Sequence, residues 1–255
     1  MSKSIQLSDY PTDAPKKAKK EELIKKTKKL AQEIGLMSEM LYASKKNSVL
    51  VVLQGMDASG KDGVAKTVFA YCPALSIDAH AFKKPTEEEM SHDFLWRVHK
   101  FSPAKGFIKL FIRSHYEDIL IQRVHKWIDD DRAKLRMDAI NRFERLMVED
   151  NGTTLLKFYF HISHKRQLEK LEERKIDPTK QWKYNPADFD ESKLWDKYMH
   201  YYEEAFNQSE YPWHIVPSDK RWYRNYFVAK MVHESLKKLK PSFPLLTDAQ
   251  KNPSR

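Results

Sequence analysis

With 255 residues, 41% of them hydrophobic, and with 6 Trp, 12 Tyr and 13 Phe, the chain can enclose one sizeable core and is not disordered throughout. Its 46 basic against 36 acidic residues leave a formal charge of +10, which suits a polyanionic partner but does not choose among nucleic acid, acidic membrane, nucleotides and inorganic polyphosphate. The single cysteine, Cys72, excludes an intrachain disulfide; with no apolar run of about 18 residues and no apolar signal core at the start, a cytoplasmic protein is expected.

Residues 1–20 are polar and carry Lys16, Lys17, Lys19 and Lys20, the composition of a flexible basic arm. Over 21–45, Leu23, Leu30, Ile34, Met37 and Leu41 recur on one helical face. The run SVLVVLQ at 48–54 is short, apolar and β-branched, which fits a strand buried on both faces. A glycine-bearing loop and a helix over 61–71 follow. Residues 77–82 form a weaker strand and 87–99 a helix. GFIKLFI at 106–112 is a second buried strand, and helices are expected over 116–128 and 137–151. TTLLKFYFHI at 153–162 is the third strong strand. The charged stretch 163–190, with a turn at Asp177-Pro178, reads as a helical lid inserted in the domain. Helices over 191–207 and 221–240 enclose a short strand at 213–216, and residues 241–255, with three prolines, form a C-terminal tail. Strands alternating with helices imply crossover connections, hence a parallel sheet flanked by helices in one α/β domain over 21–240.

The loop after the first strand carries the chemistry. Gly55, Met56, Asp57, Ala58, Ser59, Gly60 and Lys61 fit G-x-x-x-x-G-K, the phosphate loop or P-loop. The glycines let successive N–H groups turn toward phosphate oxygens, the next helix offers its positive end, and Lys61 reaches the transferring phosphate. Asp62 and Gly63 follow, where a Ser or Thr ordinarily holds magnesium. The acid inside the loop, Asp57, is therefore the first candidate metal ligand, and Asp62 a weaker one that also suits helix capping.

A second cluster, Arg113-Ser114-His115-Tyr116-Glu117-Asp118, follows the GFIKLFI strand. In a doubly wound sheet it would stand beside the loop, because ligands bind at the carboxyl ends of strands. Arg113 suits bidentate contact with phosphate, while Asp118 or Glu117 can complete a metal shell. The histidines His115, His125, His161 and His164 match a metal motif only loosely and are not read as a zinc site.

GMDASGKDG, FKKPTEEEMSHDFLWRVH, IRSHYEDIL, FERLMVEDNGTTLLKFYFHIS and RWYRN, in this order from about residue 21 to about 240, resemble the second family of polyphosphate kinases. The resemblance implies a thymidylate-kinase-like P-loop kinase fold. It implies phosphoryl transfer between inorganic polyphosphate and nucleotides with Mg2+, an essential acid at Asp57, metal binding or catalysis at Asp118, and a basic lid over 163–190. The branch reading N-R-S-x-Y-E-D, which acts on AMP and ADP, is most similar, but Ile112 stands at its first position and cannot ligate metal.

A polymer with about one charge per phosphate explains the excess of base. Lys83 and Lys84 are candidates for its track, and Arg174, Lys175, Lys180 and Lys183 for lid cations that exclude water. The alternating run at 220–225 is expected to dock the last helix and send Arg221 or Arg224 inward. Adenine nucleotides are the expected acceptors, with guanine nucleotides the next class to test; no nucleic acid or membrane partner is expected, and a homo-oligomer is. The alternative is an ATP-dependent small-metabolite kinase, which would need a base near a hydroxyl acceptor.

Overall fold

The structure of the chain is a computed structural model, described over residues 4–246. In chain order the helices are α1 (Lys20–Ser44), α2 (Lys61–Val68), α3 (Glu87–Ser91), α4 (Trp96–His99), α5 (Ile121–Val124), α6 (Asp130–Arg145), α7 (His164–Ile176), α8 (Ala187–Ser192), α9 (Trp195–Gln208) and α10 (Arg221–Leu239). The strands are β1 (Ser48–Gln54), β2 (Ile77–Ala81), β3 (Ile108–Ile112), β4 (Thr153–His161) and β5 (Trp213–Pro217). They form one five-stranded sheet in the order β2-β3-β1-β4-β5, and every neighbouring pair is parallel.

β1 is buried along its whole length because helices cover both of its faces. Val49, Val51 and Leu53 pack with Ile34 and Leu41 of α1, Val64 and Val68 of α2, and Val228 and Val232 of α10. The alternate residues Leu50 and Val52 pack with Phe111, Tyr159 and side chains of α6 and α9. The period-two alternation of a strand therefore feeds two cores, which explains the unbroken apolar run. The register sets Leu53 beside Ile112 and Phe158, so the carboxyl ends of β1, β3 and β4 lie side by side.

Several expected helices are divided. The region 87–99 forms α3 and α4, because the Asp93 side chain accepts from the N–H groups of Leu95 and Trp96 and restarts the helix there. The region 116–128 forms a 3-10 turn, His115–Asp118, capped by Ser114, followed by short α5. The 137–151 helix begins earlier, at Asp130 on the Asp129 cap, and ends in the π turn Leu146–Asp150. The lid stretch contains α7, the 3-10 turn Gln181–Lys183 and the start of α8.

The expectation of a free basic arm is corrected over its described part. Leu7 is buried, and its N–H donates to Glu203 Oε1 at 2.6 Å. Thr12 Oγ1 donates to Asp219 Oδ2 at 2.9 Å, so the segment straps α9 to the loop before α10. Residues 1–3 of the arm and 247–255 of the tail lie outside the described residues. Among the described residues no helix is long and apolar enough to cross a membrane.

Candidate active site

The loop from β1 to α2 uses backbone that only certain residues tolerate. Gly55 has φ +147° and Gly60 φ +101°. A Cβ on Gly60 would be strained by φ and, lying 2.2 Å from Arg224 Nη1, would displace that guanidinium. Lys61 is buried and folds back over its own loop, donating to Gly55 O at 2.6 Å and Met56 O at 3.1 Å. Phosphate oxygens would compete for the same ammonium. Burial, helped by the neighbouring Arg113 charge, pushes the Lys61 ammonium down to about 8. The free protein therefore loses this charge as pH rises through about 8, while bound phosphate would restore it. The expected result is that kcat/KM falls above pH 8 whereas kcat holds to higher pH, measured as parallel pH profiles. Coincident profiles would exclude Lys61 as the group responsible.

On the β3 side of the loop, Arg113 adopts φ +61°, a conformation unfavourable for a residue with a Cβ, and turns its guanidinium to Asp57. Arg113 Nη2 donates to Asp57 Oδ1 at 2.5 Å. Burial alone would raise the Asp57 carboxyl, but Arg113 and Lys61 outweigh it and hold the group ionised below its usual range. Glu117 is the strongest influence on Arg113 and, despite burial, with Asp57 raises its already high pKa. Glu117 Oε1 also accepts from Gln54 Nε2 at 2.5 Å, and Ser114 Oγ donates to Gln54 Oε1 at 3.1 Å. The last residue of β1 is thus tied to the turn that carries the acids.

Both carboxylate oxygens of Asp118 are engaged on the β2 side of the turn. Its Oδ2 accepts from Arg97 Nη2 at 3.2 Å and its Oδ1 from Gln122 Nε2 at 3.1 Å. Burial raises its pKa, and Arg97 opposes that rise. The acids whose charges act on Lys61 are Asp57, Glu117 and Asp62. Arg97 was missed by sequence reasoning, since a single arginine in a helical pattern reads as a solvated face. It is buried, and it also donates to Lys83 O at 2.9 Å, so it ties the β2 end to Asp118. The Lys83 and Lys84 side chains are exposed beyond the carboxyl end of β2, which leaves them open to a passing anion.

The opposite flank of the loop is held from α7 and α10. Gln167 Nε2 donates to Asp57 O at 3.2 Å, Lys170 Nζ to Ala58 O at 3.3 Å, and Arg224 Nη1 to Ser59 O at 2.8 Å. Of the pair expected to turn inward, Arg224 is buried and Arg221 is exposed. Gln167 and Lys170 carry no signal in the sequence beyond their place in a charged helix.

The lid cations divide into two groups. Lys183 Nζ donates to Asp62 Oδ2 at 2.6 Å, joining the lid to the start of α2. Arg174 pairs with Asp188 at 2.6 Å, and its charge reaches Asp57. Lys175 and Lys180 instead meet acids of the lid itself, Glu172 at 2.9 Å and Asp177 at 2.8 Å. The structure brings Arg174 and Lys183 to the loop and leaves the other two on the lid surface.

Beneath the acidic turn lies a fully buried polar group. Lys157 of β4 is 2.6 Å from Glu144 of α6, and Glu144 also accepts from Tyr116 Oη at 3.0 Å. His115 Nε2 lies 3.2 Å from the same carboxylate, and Ser209 bonds to Tyr116 at 2.9 Å. Burial raises the Glu144 carboxyl, but Lys157 and His115 together hold it below its ordinary value.

A magnesium ion is ordinarily held by one or two carboxylates together with substrate phosphates, not by a dedicated cage. Ionised Asp57, with the Glu117 charge acting on the same Arg113, fits that donor set. Among the described residues no group of 3 or more His, Cys, Asp or Glu side chains gathers into a cage.

Comparison with known proteins converges on one description. A family model described as Polyphosphate kinase 2 matches residues 17–244. A protein of Meiothermus ruber named AMP/ADP-polyphosphate phosphotransferase is 42% identical, over 84% of this chain and 81% of its own. A Rhodopseudomonas palustris protein named ADP-polyphosphate phosphotransferase is 32% identical, over 97% of this chain and 91% of its own. The crystal structure of a polyphosphate kinase 2 from Arthrobacter aurescens superposes with a TM-score of 0.92 at 34% identity, covering 96% of this chain and 90% of that one.

Proposed function

The chain belongs to the polyphosphate kinase 2 family, and from that premise we propose that it carries AMP to ADP and ADP to ATP by direct in-line transfer from inorganic polyphosphate, with Mg2+. It is a P-loop kinase and a polyphosphate-dependent nucleotide phosphotransferase, an enzyme whose acceptor is a phosphate group. The observation that carries the proposed mechanism is the grouping of Lys61, Arg113, Asp57 and Glu117 around one loop.

A terminal phosphate oxygen of the nucleotide is already ionised at neutral pH, so it needs no general base. That oxygen forms a bond to the end phosphorus of the polymer, the bridging P–O bond breaks, and the polymer leaves one unit shorter with the electron pair. Negative charge spreads over the equatorial oxygens of the transferring group, and positioning with charge neutralisation supplies the rate. The loop amides and Lys61 hold the donor end. Arg113 is kept in place by Asp57 and Glu117 to face the transferring group. Asp57 and Glu117 would hold the metal ion, which when bound supplies further neutralisation of phosphate charge. Asp118 acts through Arg97, fixing its guanidinium beside the β2 end. Lys183 and Arg174 draw the lid toward the loop and exclude water that would otherwise hydrolyse the donor. The lone, unpaired cysteine suits a cytoplasmic setting.

The test is incubation with magnesium, long-chain polyphosphate as sole donor, and AMP or ADP. ADP or ATP is expected to form. No product from polyphosphate, with transfer from ATP to a hydroxyl compound instead, would sink the reading.

A further inference from the structure

The lid helix α7 begins directly after β4, with only Ile162 and Ser163 between them. So short a joint sets where the lid sits, provided that something fixes Ser163. The fixing group is Asp219, in the loop between β5 and α10. Its Oδ1 accepts from the Ser163 N–H at 2.8 Å, and its Oδ2 from Thr12 Oγ1 at 2.9 Å. The Asp219 N–H donates back to Thr12 O at 2.9 Å. Beside it, the Ser218 N–H donates to O of His161, the last residue of β4, at 2.9 Å. Ser163 in turn caps α7, its Oγ accepting from the Arg166 N–H at 3.3 Å.

Thr12 is held in place by the segment before it. The Ile5 N–H donates to Asn207 Oδ1 at 2.7 Å while Asn207 Nδ2 donates to Ile5 O at 2.9 Å, and Leu7 is anchored on Glu203 of the same helix, α9. Residues 5–12 therefore run as a strap from α9 to the base of the lid. Beyond the joint, α7 brings Gln167 to Asp57 O and Lys170 to Ala58 O, while α10 brings Arg224 to Ser59 O. One carboxylate thus couples the strap to both helices that hold the phosphate loop. Hydrogen bonds to a carboxylate are the strong kind, and both are lost if it goes. The far end of the lid has its own tie, Lys183 to Asp62, so Asp219 acts at the hinge end.

We propose that Asp219 is a positioning residue for the transfer: it latches the start of the lid helix to the start of α10, and the strap, through Thr12, keeps the latch aimed. Without the latch Ser163 is free to turn, α7 swings with it, and Gln167 and Lys170 leave the loop carbonyls that they hold. The loop then loses its curl, which slows transfer, and the lid admits water to the donor end. A water oxygen bonds to the end phosphorus in place of the nucleotide oxygen and the bridging P–O bond breaks. The polymer leaves one unit shorter with the electron pair, and a proton of the water passes to solvent as orthophosphate departs. This rests on the polyphosphate-dependent reading above and adds to it the device that commits the donor to the nucleotide.

Asp219→Asn leaves one acceptor oxygen where two are needed, Thr12→Val removes only the strap's hydroxyl, and Thr12→Ser restores it. Each full-length variant is given magnesium, long-chain polyphosphate and ADP, and orthophosphate and ATP are measured together. The ratio of orthophosphate to ATP is expected to rise about tenfold in Asp219→Asn and about threefold in Thr12→Val. The kcat for transfer should fall while the KM for ADP changes little, and Thr12→Ser should behave as the unaltered protein. Amide hydrogen exchange without substrate should quicken at residues 163–170 in the first two variants. An unchanged ratio with a lowered melting temperature would overturn the latch and leave the strap a stability element only. If Asp219→Asn does not fold, the ratio and the exchange of Thr12→Val decide. A wild-type protein that transfers nothing from polyphosphate would sink the functional reading, and the latch would then stand or fall on the exchange at 163–170.

Discussion

Asp57→Asn is expected to lower kcat about 100- to 1,000-fold while the KM for polyphosphate stays within about threefold. The substitution keeps shape and removes one negative charge. Arg113 retains Glu117, its strongest electrostatic partner, so the guanidinium is not released. The loop loses the ionised carboxylate that is proposed to hold the metal. Removing a negative charge from an anion site also favours the anion, so donor affinity should hold or improve. The measurement is initial rate across polyphosphate and magnesium concentrations; the magnesium requirement should rise sharply. Matching losses in rate and in donor affinity would mean that Asp57 only shapes the loop.

The second large effect concerns stability. Lys157→Met should destabilise the fold by about 3–5 kcal/mol, because it leaves the Glu144 carboxylate buried without its ammonium. In the unaltered protein Glu144 is held below its ordinary pKa, so its contribution is present at neutral pH and is lost as pH falls through the folded value. In the variant, burial is no longer opposed by Lys157 and the pKa should rise above the ordinary value. The sign then reverses, and the defect should be largest near pH 8 and shrink toward pH 5. Denaturant midpoints at the two pH values decide it. Methionine matches the lysine stem in volume, so a defect of equal size at both would trace to packing instead. Because the same group holds Tyr116 and His115, the variant should also loosen the turn that bears Glu117.

The parts of this protein legible in its sequence are those set by near neighbours along the chain. SVLVVLQ is a strand because β-branched side chains buried on both faces suit no other element so well, and its ends fall where expected. The glycines of the loop and Lys61 announce a phosphate site because only that spacing curls backbone N–H groups toward an anion. Parallel order follows from strands that alternate with helices, and the family from motifs spread over nearly the whole chain.

What the sequence left undecided depends on which distant groups meet. Asp93 divides a helix that periodicity read as continuous, since a side-chain cap competes with the backbone wherever tertiary contacts favour the break. Leu7 buries an arm that composition marked as free, because α9 offers a surface for it. The run at 220–225 left open which of Arg221 and Arg224 turns inward, and Arg97, Lys157 and Lys170 sit in patterns where charge ordinarily faces water. Only the sheet order turns them inward, by placing β3 on one flank of the loop and β4 with β5 on the other. Glu117 is the acid whose charge acts most strongly on Arg113, which pairs with Asp57, while Asp118 pairs with Arg97. Sequence spacing put both carboxylates at the end of one strand, and the 3-10 turn takes Glu117 to Gln54 and Asp118 to Arg97.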